Sequence, residues 1–206
     1  MVQKANIFWF TGMSGVGKST LAEHAKNRLV EKGYAVMILD GDAIREKYKT
    51  KLGFGREDVK KNNFYIARLC QEHRNNYDVI MVSIISPMDN VRLEVKRILS
   101  PNYYLIYICA DIEILKKRDK KGLYKKSENG EITDLIGYSD TNPYDIPEDY
   151  DLIINTNKES ELKKTKQLFE DFVLSKAAWS SYLIKEMSRD KLDDPAPNIH
   201  AKCQTF

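Results

Sequence analysis

The chain has 206 residues, 42% of them hydrophobic, which suits one α/β domain with a proper core and a short appendage and leaves no need for a second domain. Its 33 basic and 30 acidic residues give a net charge of +3, too small to call for a nucleic-acid partner. Cys70, Cys109 and Cys203 form no C-x-x-C pair or metal-ligand pattern, and the apolar runs are only strand length; the expectation is a cytoplasmic protein without leader, membrane span or disulfides.

The first predicted strand, Ile7-Phe8-Trp9-Phe10, runs into Gly12-Met13-Ser14-Gly15-Val16-Gly17-Lys18-Ser19-Thr20. That spacing is G-x-x-x-x-G-K-[ST], in which backbone N–H groups wrap phosphate oxygens, the lysine reaches the outer phosphates and a hydroxyl binds Mg²⁺. Gly12, Ser14, Gly15, Val16, Gly17, Lys18, Ser19 and Thr20 are therefore candidate nucleotide-binding residues, and Ser19 is the candidate metal ligand. Leu21, Ala22, Ala25 and Leu29 predict a helix over Leu21 to Glu31 whose positive end would point at the anion. The rival reading is a glycine turn that merely joins a strand to a helix.

A second strand, Ala35 to Leu39, delivers Asp40 and Asp42 to its C-terminal end, where open α/β sheets bind ligands. Asp42 could take a proton from an attacking hydroxyl or hold Mg²⁺ through water, with Asp40 orienting either partner; the alternative for Asp42 is the N-cap of a helix beginning near Ala43. Leu52-Gly53-Phe54-Gly55 predicts a turn that presents an aromatic ring, and residues 56 to 76 a surface helix. A third strand, Val79 to Ile85, ends at Ser86-Pro87, because proline has no N–H for the ladder. A helix over Asp89 to Leu99 and a fourth strand, Tyr103 to Ala110, follow.

The helical pattern from Asp111 gives out near Asp119, and Lys120 to Pro147 reads as a long irregular loop of the kind that closes over substrates. Lys116, Lys117, Arg118, Lys120, Lys121, Lys125 and Lys126 make a basic cluster, either an attractor of anionic substrate or a solvated face. A fifth strand, Leu152 to Asn155, a helix from Ser160 to Phe172, another from Ala177 to Met187 and a polar, mobile tail from Arg189 complete the chain. The expected fold class is α/β: a P-loop NTPase-type three-layer sandwich, with a five-stranded, mainly parallel sheet, helices on both faces and a lid loop.

Taken together, Gly12 to Thr20, Leu39-Asp40-Gly41-Asp42-Ala43-Ile44-Arg45, Leu52-Gly53-Phe54, Ile85-Ser86-Pro87, Arg118-Asp119, Lys121-Gly122-Leu123-Tyr124-Lys125-Lys126 and Gly130-Glu131-Ile132 resemble the adenylylsulfate kinase family from about residue 5 to 157. The resemblance implies a cytoplasmic enzyme of sulfate assimilation that moves the γ-phosphate of ATP to the 3′-hydroxyl of adenosine 5′-phosphosulfate. The pattern along the chain divides it into a kinase domain over 1–175, with a lid at about 120–147, and a C-terminal helix and tail over 176–206. Lys18 and the loop amides would hold ATP, Ser19 would ligate Mg²⁺, Arg118 would lie over the adenine, and Asp42, with Asp40 beside it, would sit by the attacking hydroxyl. Arg45, Phe54 and Asn62 would contact the acceptor, Ile85, Ser86 and Pro87 would line its edge, and Lys125 would face the phosphates. Ser86 matches a serine sometimes assigned a phosphorylated intermediate, although direct in-line transfer is the expected chemistry. Nucleic acid and membrane are not expected partners, and a homodimer stays open.

The acceptor half departs from the family. Where the family reads E-D-R-E-E-N-x-R-R, this chain has Glu57-Asp58-Val59-Lys60-Lys61-Asn62-Asn63-Phe64-Tyr65, so Val59, Phe64 and Tyr65 replace arginines that surround the sulfated nucleotide. The lid phenylalanine that sandwiches the base aligns with Leu135, and the segment between Gly137 and Pro143 is about two residues longer. Val59, Phe64, Tyr65 and Leu135 are therefore the specificity candidates. A 3′-kinase for another nucleotide, such as the cytidine diphosphate derivative cytidine diphosphoramidate in capsule or polysaccharide modification, remains open. So do a small-metabolite kinase and a non-catalytic nucleotide-binding switch protein.

Overall fold

The computed structural model describes residues 4–46 and 53–189, with side chains through residue 177. Leu52 of the expected turn and the expected tail beyond residue 189 lie outside the described residues. Five strands form the sheet: β1 (Asn6–Thr11), β2 (Val36–Asp40), β3 (Val79–Ser83), β4 (Tyr103–Cys109) and β5 (Leu152–Asn155). All pair in parallel, in the order β2-β3-β1-β4-β5. β1 is buried along its whole length because it has a strand on each side and helices on each face, which is why its sequence is a continuous apolar run rather than an alternating one.

The alternation of side chains along β1 divides the core into two layers. Ile7 and Trp9 point into one, filled by Val59, Ile66 and Cys70 of α3 (Arg56–His73) and Val91, Val95 and Leu99 of α4 (Asp89–Leu99). Phe8 and Phe10 point into the other, filled by Leu21, Ala25 and Leu29 of α1 (Lys18–Glu31) and Phe169 and Val173 of α7 (Leu162–Arg189). The chain passes from β1 to one edge, returns through β3, then crosses to β4 on the far side of β1. The C-terminal ends of the central strands therefore open into a crevice, the expected ligand position in such a sheet.

Four local expectations are corrected. The helix after β2, α2 (Gly41–Glu46), begins before Ala43, and its cap is Asp40 rather than Asp42: Asp40 Oδ1 accepts from the N–H groups of Asp42 and Ala43 at 3.0 and 3.3 Å. β3 stops at Ser83, not Ile85, because the chain turns to serve β1: Gly12 N donates to Ile85 O at 3.1 Å, and Ser86 takes a positive φ of 47°. Beyond α5 (Ile112–Lys117), the expected loop contains a helix, α6 (Leu123–Glu128), started by Gly122 in the left-handed region and by the Asp119 carboxylate, which accepts from the N–H groups of Leu123, Tyr124 and Lys125. The two expected C-terminal helices are one continuous helix, α7. No helix among the described residues is long and apolar enough to cross a membrane.

Candidate active site

The phosphate loop leaves β1 and turns into α1 on residues that a side chain could not replace. A Cβ on Gly12 would stand 2.2 Å from Ile108 O, and Gly17 caps α1 with φ of +97°. No side chain caps α1 and its first turn carries no acid, so its leading N–H groups face the crevice as an anion site. Lys18 Nζ donates to Gly12 O at 2.8 Å and Met13 O at 2.9 Å, which holds the ammonium over the loop. Desolvation pushes Lys18 down from its ordinary 10.5 to about 8; Asp42 and Asp40 pull it back up, and Lys121 adds to the depression.

At the ends of β2 and β3 stands a set of hard oxygen donors. Ser19 Oγ donates to Asp40 Oδ2 at 2.9 Å and lies 3.0 Å from Ser83 Oγ. One or two carboxylates and hydroxyls beside a phosphate site fit Mg²⁺, which keeps waters and takes phosphate oxygens rather than a full protein cage. Among the described residues no cluster of three His, Cys, Asp or Glu competes for that role.

A cleft of about 480 Å³ joins these groups. Its floor is the phosphate loop from Ser14 to Thr20 together with Asp40 and Asp42, and Arg118, beside Thr156 and Asn157, stands on one side. The rest of the lining includes Arg45, Phe54, Val59, Asn62, Ile85, Ser86 and Leu135. The Arg45 guanidinium lies 5.0 Å over the Phe54 ring and hydrogen-bonds Gly53 O. The structure thus gathers most of the candidate residues into one space.

Some candidates lie elsewhere. Gly12 is beneath the loop, and Pro87 faces the lid, its carbonyl accepting from Asp145 N at 2.8 Å. The α3 face that turns inward is Val59, Asn62 and Asn63; one helical step on, Phe64 packs into the core under Lys60 and Tyr65 turns to solvent. Neither ring lines the cleft. Lys125 sits exposed on α6, and the lid lysines that line the cleft are Lys120 and Lys121, with Lys121 Nζ bonded to Asp42 Oδ2. The Ser86 hydroxyl is buried and engaged twice: it donates to Asn63 Oδ1 at 2.8 Å and accepts from Trp9 Nε1 at 3.2 Å.

Sequence reasoning did not single out Asn63, Ser83 or Tyr124, whose hydroxyl donates to Ser14 O at 2.8 Å and docks α6 on the phosphate loop. Nor did it single out Tyr144. Thr11 spends its one proton on Ile85 O and Ser86 O, so Tyr144, 2.7 Å away, donates to it. Lys121 stood out only as a member of the basic cluster and of the Lys121 to Lys126 block, with no contact to Asp42 expected of it.

The geometry has close relatives. The sequence model of the adenylylsulphate kinase family matches residues 4–155. The chain belongs to the adenylylsulfate kinase family. The adenylyl-sulfate kinase of Halothermothrix orenii is 37% identical over 171 residues, covering 82% of this chain and 89% of the relative. That of Clostridium kluyveri is 35% identical over 155 residues, covering 75% of this chain and 77% of the relative. The structure of the Mycobacterium tuberculosis APS kinase in complex with AMPPNP and APS superposes with a TM-score of 0.73 at 26% identity, over 84% of this chain and 98% of that one. In this member of the family the donor end of the cleft is lined by the phosphate loop from Ser14 to Thr20, while the acceptor end carries Val59 and Leu135.

Proposed function

We propose that the protein is an ATP-dependent kinase that moves the γ-phosphate onto the ribose 3′-hydroxyl of adenosine 5′-phosphosulfate, giving 3′-phosphoadenosine 5′-phosphosulfate and ADP. The observation that carries this reading is the single cleft in which the phosphate loop faces Asp42 and Phe54, in a chain of this family. The loop amides and Lys18 hold the triphosphate, and Arg118 stacks on the adenine. The acceptor lies against Phe54 with Arg45, Asn62, Ile85 and Ser86 along it. Its 3′-oxygen attacks the γ-phosphorus, the bond from that phosphorus to the β–γ bridging oxygen breaks, and the hydroxyl proton passes to the Asp42 carboxylate. For that, Lys121 leaves Asp42 and its charge turns to the phosphates. Asp40 fixes the start of α2 and so aims Asp42.

Ser19, Asp40 and Ser83 are the residues that would hold Mg²⁺. When bound, the ion neutralises phosphate charge. Ser86 serves as a buried strut rather than a phosphate carrier, since its hydroxyl proton is committed to Asn63. The enzyme works in the cytoplasm in this reading, consistent with the unpaired thiols Cys70 and Cys109, and light scattering decides whether two copies pair as a homodimer.

A second reading, a 3′-kinase for a different nucleotide, is favoured by the acceptor wall itself. Arg45 is the one arginine described there, and the lining that Phe54 shares has the aliphatic side chains of Val59 and Leu135 where the family resemblance leads one to expect an arginine and a second ring. Losing one aromatic face forfeits stacking of roughly 1 kcal/mol, enough to shift preference without abolishing binding. ATP turnover measured against a panel of nucleotide acceptors decides between the two: adenosine 5′-phosphosulfate with the highest kcat/KM supports the first reading, and another nucleotide ahead of it supports the second.

A further inference from the structure

Asn142 lies in the lid between Gly137 and Pro143, a polar stretch in which an exposed side chain would be unremarked, yet it is only 1% exposed. Its Nδ2 donates to two carbonyls from different parts of the chain, Phe54 O at 2.7 Å and Asp134 O at 3.3 Å. Its Oδ1 is buried without a hydrogen-bond partner among the described residues. Turning the amide over would press that oxygen against two carbonyl oxygens, so the two acceptors fix its orientation. A buried unpaired acceptor is unfavourable, and here it accompanies two donor bonds that tie separate walls of one cleft.

The backbone around Asn142 holds it rigidly relative to Leu135. Gly137 N donates to Asn142 O at 2.7 Å, Asn142 N donates to Ser139 O at 2.9 Å, and Ser139 Oγ accepts from Leu135 N at 2.9 Å. The turn that carries Leu135 is therefore closed on itself. The Asn142 amide is its link to the Phe54 carbonyl, across 88 residues of sequence. Phe54 itself is 51% exposed, with Arg45 on one face, and among the described residues no ring stack fixes its distance from Leu135.

We propose that Asn142 is a positioning residue that sets the gap between the Phe54 and Leu135 walls and so selects the flat base of the acceptor nucleotide. The inference rests on the acceptor reading given above and deepens it. Asn142 touches neither substrate in this account; it acts through the Phe54 main chain. A loss at this position therefore weakens the acceptor and leaves the phosphate loop and Lys18, at the far end of the cleft, as they are.

The test is steady-state kinetics of Asn142→Asp and Asn142→Ala, with adenosine 5′-phosphosulfate varied at saturating ATP and the converse, alongside hydrogen exchange of the intact protein followed by mass spectrometry. Asn142→Asp keeps the shape but sets a carboxylate against two carbonyls. The acceptor KM is expected to rise about tenfold, the scale of one lost hydrogen bond, with the ATP KM within about twofold. Peptides over 53–59 and 132–138 should exchange faster than in the wild type, and those over 12–20 at the same rate. If Asn142→Ala does not fold, Asn142→Ser, which keeps one hydroxyl donor, should give an intermediate acceptor KM. Unchanged exchange at both walls, or KM values for ATP and acceptor that rise together, overturns the proposal. Wild-type enzyme that does not turn over adenosine 5′-phosphosulfate would remove the acceptor reading instead, and the exchange comparison would still decide the role of Asn142.

Discussion

Lys121 is hydrogen-bonded to Asp42, so a lysine of the lid rests on the carboxylate at the end of β2. In the proposed reaction that contact sets opposite charges beside the hydroxyl that loses its proton and the phosphoryl group that is transferred. Replacing Asp42 with Asn keeps the shape and removes the base; kcat should fall by about 10²-fold or more, with ATP affinity nearly unchanged. Replacing Lys121 with Met should lower kcat about 10-fold or more by removing charge at the transferring phosphate. Steady-state kinetics with calorimetric ATP binding checks both.

Burial holds Lys18 near 8, and phosphate oxygens placed against it would raise that value. Nucleotide binding therefore takes up a proton around pH 8, and affinity falls as pH rises above 8, by up to about fivefold between pH 8 and 9. The opposite slope holds for the ligand-free fold, because the unfolded chain binds the extra proton between about 8 and 10.5, so the Lys18 contribution to stability improves as pH rises through that window. Titration calorimetry in two buffers of different ionisation enthalpy reads the proton uptake directly; a flat affinity with no uptake would contradict it.

Gly12 admits no side chain. A Cβ there meets Ile108 O at 2.2 Å and Val16 Cγ2 at 3.1 Å, so Gly12→Ala must push the loop off β4. Destabilisation of about 1–3 kcal/mol follows, or about 2–4 °C of Tm per kcal/mol, with weaker nucleotide binding. Gly33, where a Cβ meets nothing within 4 Å, is the control position, with only the strain of its φ of +86° to bear. Thermal melting with and without nucleotide separates the two.

Ser86→Ala separates strut from phosphate carrier. The change strands Trp9 Nε1 and Asn63 Oδ1 in the core, which should cost about 1–3 kcal/mol of stability. Turnover should persist, and wild-type enzyme incubated with labelled ATP should carry no phosphoserine. A variant that melts normally but is inactive would reverse this assignment.

The parts that were legible in the sequence are those whose chemistry is contiguous. The loop from Gly12 to Thr20 is fixed by spacing alone, and five apolar runs mark the strands because a sheet covered on both faces has no polar alternation to confuse them. Helical phase was harder. Val59, Phe64 and Tyr65 stand in one row of substituted positions, but only Val59 shares the inward face with Asn62 and Asn63. α6 has a polar sequence and starts from Asp119 and Gly122, a cap that hydrophobic periodicity does not register. The Asn142 and Tyr144 bonds reach across 88 and 133 residues, distances over which no local pattern carries information.

The central claim is phosphate transfer from ATP to a nucleotide's 3′-hydroxyl within this one cleft. Its most direct test is ADP release by the wild-type protein with Mg²⁺, ATP and adenosine 5′-phosphosulfate, with the product examined by phosphorus NMR. The account predicts acceptor-dependent ADP formation and a new phosphomonoester on the 3′-oxygen, both lost in Asp42→Asn. ADP formation at the same rate with adenosine 5′-phosphosulfate, with every other nucleotide acceptor and with none would contradict it.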